Sequence, residues 1–124
     1  MPKYQFSVSA VPHYLAEQSA PEADRYVFAY TVTIRNTGEV AAQLLSRHWI
    51  ITDGEGRVHE VRGAGVVGEQ PVLQPGEAFE YTSGCPLATP VGSMRGSYQC
   101  VAADGTEFEA PIPEFVLSVP RSLH

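Results

Sequence analysis

The residues of this chain that could do chemistry gather between Arg47 and Gly68, in R-H-W-I-I-T-D-G-E-G-R-V-H-E-V-R-G-A-G-V-V-G. The stretch holds the only tryptophan, Trp49, the histidines His48 and His59, and the arginines Arg47, Arg57 and Arg62. Its end, Gly63 to Gly68, matches G-x-G-x-x-G, a pattern that binds pyrophosphate when it follows a strand and opens a helix. A strand before it fits. A helix after it does not, because Pro71 and Pro75 come too soon, with Gly76 behind them, and an interior proline costs a helix about 3 kcal/mol. The stretch therefore reads as a glycine-rich loop between two sheets. No helix is expected from Gly63 to Gly76, and at least one of Gly63, Gly65 and Gly68 is expected at positive φ. The alternative is a backbone-amide nest for a small anion, pyrophosphate or a nucleotide phosphate, at Gly63, Gly65 and Gly68 with charge from Arg62 or Arg47.

Other chemistries find less support. His48 and His59 face across the expected hairpin and form a weak candidate pair for cobalt or zinc. No H-x-H, H-E-x-x-H or C-x-x-C accompanies them, so exposed sheet histidines and no metal site are expected. Glu17, Glu22 and Asp24 read as solvated loop carboxylates. Arg47, Arg57 and Arg62 with Arg95 could form a positive patch on an acidic protein; the alternative is solvated arginines with acidic cross-strand partners. Serines and histidines are present, but no G-x-S-x-G elbow is, and no nucleophile–base–orienter set can be drawn. No catalytic residue and no cofactor is assigned, and the chain is read as a non-enzyme.

The elements that position these residues are strands. Tyr4, Phe6, Val8 and Ala10 alternate with polar residues, as in a half-buried strand. Pro12 puts that strand at an edge or at a bulge. Glu17 to Asp24 reads as an exposed loop. Tyr26, Phe28, Tyr30, Val32 and Ile34 make the strongest strand, with β-formers on both faces, so it is expected centrally. Asn36 to Glu39 closes it in a turn. Leu45, Trp49 and Ile51 share one face of the next strand, with Trp49 expected between the sheets. Arg47 has their parity and does not fit an apolar face, so it belongs at the strand mouth or at disturbed pairing. Asp53-Gly54-Glu55-Gly56 turns the chain back into a half-exposed strand from Arg57 to Arg62. Leu73 to Glu77 is a further turn, followed by Phe79 and Tyr81 on one face. Cys85 to Ser93 reads as a long arch crossing between sheets. Met94, Gly96, Tyr98 and Cys100 alternate next, and Asp104-Gly105 signals a hairpin. Phe108, Ala110 and Ile112 then differ in parity from Phe115, Leu117 and Val119, so a bulge is expected beside Pro111 and Pro113. Pro120 to His124 is expected to fray.

These are about seven antiparallel strands at regular spacing with no helix, the pattern of an all-β, fibronectin-III/immunoglobulin-like β-sandwich. At 124 residues the chain is one domain, residues 1–124, able to bury a core. Hydrophobic residues make up 44% and charged residues 18%, which suits a folded protein. A net charge of −6 and a pI near 5.1 argue against nucleic acid as a partner. The start Met1-Pro2-Lys3-Tyr4 does not read as a leader, so none is expected, and no apolar run is long enough for membrane insertion. Cys85 and Cys100 are read as reduced structural thiols, and the location as cytoplasmic.

Several motifs together resemble one family. They are Tyr30-Thr31-Val32-Thr33-Ile34 with Asn36; Arg47-His48-Trp49-Ile50-Ile51-Thr52-Asp53 with Gly56; the Gly63–Gly68 loop; Leu73-Gln74-Pro75-Gly76; Tyr81-Thr82-Ser83; Met94-Arg95-Gly96-Ser97-Tyr98; and Ile112-Pro113-Glu114-Phe115. In this order, over nearly the whole chain, they resemble the ApaG (CorD) family of small bacterial proteins with a fibronectin-type-III-like sandwich. The resemblance implies a link to cobalt tolerance and magnesium efflux. It also implies a protein-interaction role, as for the similar domain of eukaryotic F-box proteins and of a DNA-polymerase-associated protein, and a pyrophosphate site at the G-x-G-x-x-G. The function expected is a non-catalytic protein-interaction module. Small-anion binding at the Gly63–Gly68 loop and metal sensing through His48 and His59 are the competing readings.

Overall fold

The computed structural model describes residues 2–120. Of the expected frayed end, 121–124 lie outside the described residues. Eight strands follow one another: β1 (Phe6–Tyr14), β2 (Tyr26–Asn36), β3 (Ala42–Asp53), β4 (Val58–Ala64), β5 (Val72–Leu73), β6 (Ala78–Leu87), β7 (Val91–Ala102) and β8 (Glu107–Ser118). They form two antiparallel sheets, ordered β1-β2-β6 and β4-β3-β7-β8, with the short β5 also paired to β3. This is the expected all-β sandwich. The additional strand is β5, two residues long, inside what reads as turn. Two single turns of 3-10 helix, Ala16–Gln18 and Pro21–Ala23, occupy the loop expected between β1 and β2. No helix of the described residues is long and apolar enough to cross a membrane.

The core forms where the alternation of each sheet meets the other. β2 lies between β1 and β6 and sends Phe28, Tyr30, Val32 and Ile34 inward, all buried. The facing sheet contributes Leu44, Trp49, Met94, Tyr98, Ala110, Ile112 and Leu117. Asn36 ends β2 as a buried polar residue. Its Nδ2 donates to the Val40 and Leu73 carbonyls and its Oδ1 accepts the Gly38 amide, so the turn closes with its polar atoms paired.

Two sequence expectations change and a third holds. Leu45 does not share the core face with Trp49: the pairing of β3 with β7 shifts between Leu44 and Ser46, and this bulge exchanges parity so that Leu44 is the buried residue. The expected arch from Cys85 to Ser93 shrinks to residues 88–90, because β6 runs on through Pro86 to Leu87. Proline is tolerated there because β6 has a neighbour on one side only. Thr89 pins the short crossing: its hydroxyl accepts the Gly54 amide and donates to the Val91 carbonyl. The bulge expected beside Pro111 and Pro113 is present, where Met94 pairs with Phe115 but Gly96 with Ile112.

Candidate functional site

The β3–β4 hairpin sets the geometry. Asp53 builds its turn, accepting the Glu55 and Arg57 amides on Oδ1 and the Arg57 Nε on Oδ2 at 2.8 Å. The Arg57 side chain is the main reason the Asp53 carboxyl is held below its ordinary range. Past the turn, Thr52 pairs with Val58, Ile51 with His59, Trp49 with Val61, and Arg47 with Gly63. Paired residues in this register share a face. Arg47, Trp49, Ile51, His59, Val61 and Gly63 therefore lie on the side toward the other sheet, whereas His48, Ile50, Glu60 and Arg62 lie on the outer side.

Arg47 is the residue of inward parity that no apolar face explains. Its Nη1 donates to the Ala64 and Gly65 carbonyls, 2.9 Å each. Gly63 makes the room: a Cβ built there would stand 2.7 Å from Nη2 and 2.8 Å from Cζ of Arg47. Among the described residues no carboxylate pairs with this guanidinium.

The glycine loop is a tight turn and contains no helix. Val66 and Glu69 exchange both backbone hydrogen bonds, and the two residues between them have positive φ, 43° at Val67 and 81° at Gly68, the pattern of a type I′ turn. Gly65 has φ 62°, and a Cβ there would meet the Glu69 carbonyl oxygen at 2.3 Å. Two of the three glycines, Gly65 and Gly68, thus occupy the left-handed region. The amides of Gly65, Val66 and Glu69 donate to the carbonyls of Leu45, Glu69 and Val66, so three of the loop's donors serve the fold.

The other predicted site residues separate. His48 and His59 do not approach one another. They differ in parity, so His48 points outward, with Nε2 2.7 Å from Glu60 Oε1, while His59 lies on the inner side. Among the described residues no three His, Cys, Asp or Glu side chains cluster for a metal. The four arginines do not form one patch either. Arg47 and Arg57 line the inner side, whereas Arg62, 3.7 Å from Glu60, and Arg95 belong to the outer one. Arg57 is spent on Asp53 and on Glu55, at 2.8 and 2.9 Å.

What the inner side borders is a cleft of about 640 Å3 between β3–β4 and β6. Trp49, Ile51, Leu87, Met94 and Tyr30 give it an apolar floor, and Arg47, Asp53, Arg57, His59 and Ser83 are polar members of its lining. Trp49 is buried and packs edge-on to Tyr30 at 5.3 Å and to Phe115 at 6.0 Å. Burial raises the Tyr30 hydroxyl above its ordinary range, against the pull of the Ser83 side chain. Behind it the hydroxyls of Tyr81 and Tyr98 bond to each other. Burial pushes Tyr81 up to about 12, and Tyr98 is also raised. The charge of Arg47 pulls all three tyrosines the other way, so it reaches across the cleft. Cys85 and Cys100 are free and buried, pushed by burial up to about 11 and about 12. They are thiols at neutral pH and poor nucleophiles. Sequence reasoning found Arg47 but missed Tyr30, Ser83 and Leu87. These come from the opposite sheet, and only the inward parity of Tyr30 hints at them.

Comparison with known proteins agrees with this geometry. The family model described as ApaG domain matches residues 16–102. The protein ApaG of Dechloromonas aromatica is 66% identical over 122 residues, covering 98% of this chain and 96% of that protein. That of Ralstonia nicotianae is 63% identical over 124 residues and the whole of both chains. The crystal structure of the ApaA protein from Bordetella pertussis superposes with a TM-score of 0.94 at 63% identity, covering 98% of each chain. With the sandwich, the tryptophan strand and the glycine turn in place, the chain belongs to the ApaG family.

Proposed function

We propose that this chain is a non-catalytic interaction module that takes an extended segment of a partner protein onto the free edge of β4. One observation carries the reading. The two sheets end in four edge strands, β1, β6, β4 and β8. Pro12 lies in β1, Pro86 in β6, and Pro111 and Pro113 in β8, and proline on an edge blunts pairing with another chain. β4 carries none. Nearly all of its residues are exposed, and Val58, Val61, Val67 and Val72 along this margin are 41 to 58% exposed. Such an edge offers main-chain hydrogen bonds, with side chains for specificity beside them. The cellular setting that the family resemblance implies is cobalt tolerance and magnesium efflux. In that setting the module would act by contact with a cytoplasmic protein rather than by holding the metal.

Affinity capture from cell extract tests the reading against a Val58→Lys/Val67→Lys variant. Both side chains are exposed, so the fold is expected to persist. The expected result is a partner retained by the wild-type chain and lost by the variant. Equal capture by both, or none by either, would sink the edge as the contact.

A further inference from the structure

The cleft beneath the hairpin is a separate matter from the β4 edge. Arg47 is half-buried there, and its charge has no counter-ion among the described residues. Ala64 and Gly65 accept from Nη1 alone. Among the described residues Nε and Nη2 hold no acceptor, yet no buried side-chain nitrogen or oxygen there lacks a hydrogen bond. These two donors therefore reach the water of the cleft. Gly63, having no Cβ, lets the guanidinium lie against its backbone, where any side chain would displace it. Of the other charged lining residues, Asp53 and Arg57 neutralise one another, so the cleft keeps one net positive charge on a chain whose net charge is −6. A partly desolvated guanidinium with two unpaired N–H donors is stabilised by a carboxylate or phosphate.

We propose that the cleft binds an aromatic monocarboxylate, its carboxylate on Nε and Nη2 of Arg47 and its ring over Trp49, Ile51 and Leu87. The fork of one guanidinium matches one carboxylate in two parallel hydrogen bonds and matches its single charge. A phosphate dianion would call for a second free cation, and Arg57 is already bound. The body is assigned from the floor, which is aromatic and aliphatic and offers edge-on partners to a flat ring. The volume of about 640 Å3 suits a small organic molecule. Ser83, from the opposite sheet, adds a hydroxyl to the lining.

The test is titration of the full chain with 1-naphthoate, with the neutral 1-naphthylmethanol and with inorganic pyrophosphate. The indole N–H of Trp49 and the Nε–H of Arg47 are followed by NMR. Saturable shifts at both reporters are expected with naphthoate and not with the alcohol. Affinity should fall at least about tenfold in Arg47→Met, the loss of one charge-assisted pair. Because Arg47→Met also removes the bonds to Ala64 and Gly65, Val61→Trp serves as a second variant. It keeps Arg47 and fills the mouth of the cleft from the exposed side of Trp49's strand partner. It should abolish the naphthoate shifts while the melt stays cooperative. No saturable response to naphthoate at millimolar concentration overturns the proposal. So does equal binding of the alcohol, undiminished binding by Val61→Trp, or a response to pyrophosphate alone, centred on the Gly65–Gly68 amides.

Discussion

Along one long side of the sandwich β1 lies over β8, and rings close the gap. Phe6 meets Phe108 edge-on at 5.5 Å, and Tyr4 lies against the same ring at 6.1 Å. The Tyr4 hydroxyl donates to Asp104 in the β7–β8 turn. Along the other side β6 faces β3 and β4, and the sheets leave a cleft. There β3 and β4 offer Arg47 and Gly63 where the first side offers phenylalanine. The guanidinium turns back to its own hairpin, to Ala64 and Gly65, instead of bridging to β6. Both sides are stacked strands with the same inward alternation. What separates them is whether both sheets contribute apolar bulk at the margin. Apolar area from both sheets draws a margin shut. A charge with a glycine opposite keeps it hydrated, since burying an unpaired guanidinium costs more than the contact returns.

The largest test of this contrast is Trp49→Ala. It removes the floor of the open side, where Tyr30, Tyr98 and Phe115 all pack on the indole. A loss of about 3–5 kcal/mol is expected, read from urea melts. A change below about 1 kcal/mol would mean that the indole does not hold the sheets together. On the closed side Phe6→Ala should cost about 3 kcal/mol, the lower end of the range for a buried aromatic, because Phe6 contributes a smaller ring to the seam. A Phe6→Ala loss well beyond that of Trp49→Ala would show that the closed margin, not the floor of the cleft, carries the sandwich.

Gly65→Ala comes next and acts at the hinge of the open side. Alanine at φ 62° is strained, and its Cβ would stand 2.3 Å from the Glu69 carbonyl oxygen. A cost of about 1–3 kcal/mol is expected, with or without pyrophosphate present. A Gly65→Ala chain with an unchanged melt would mean that the glycine serves close approach of a ligand rather than backbone shape.

Much of this is legible in the sequence, and the rest is hidden for definable reasons. The alternation of β2 marks its inward residues because no bulge interrupts it. The clustered prolines beside Phe115 announce the bulge of β8. The prolines after Gly68 rule out the helix that a dinucleotide loop needs, and glycine's freedom accounts for positive φ at Gly65 and Gly68. Leu45 was misassigned because a bulge at that residue exchanges parity, and nothing in Leu44-Leu45-Ser46 signals one. The pairing of His48 with His59 fails on register: in this hairpin, residues of unlike parity lie on opposite faces. The cleft was half-visible. Arg47 stood out as a charge with core parity, whereas Tyr30, Ser83 and Leu87 reach it only through the packing of one sheet on the other, which no local pattern encodes.

The smallest expected effect concerns the polar latch of the closed side. The Tyr4 hydroxyl first, and then the Thr106 amide, hold the Asp104 carboxyl down to about 2. A carboxyl whose pKa is lower in the folded chain than in the unfolded one stabilises the fold above its unfolded value, near 3.8, and loses that contribution as pH falls through the folded value. The window for Asp104 therefore runs from about pH 4 down to about pH 2. Asp53, also lowered, chiefly by Arg57, adds its own slope in acid. Asp104→Asn keeps an oxygen that accepts from Tyr4 but cannot titrate. Urea melts across the window should show the variant losing less stability than the wild type, with the slope from Asp53 retained. Asp104 is exposed, so solvent screening keeps the difference small. Parallel acid slopes in the two chains would mean that the latch is open in solution and that the aromatic seam alone closes this side.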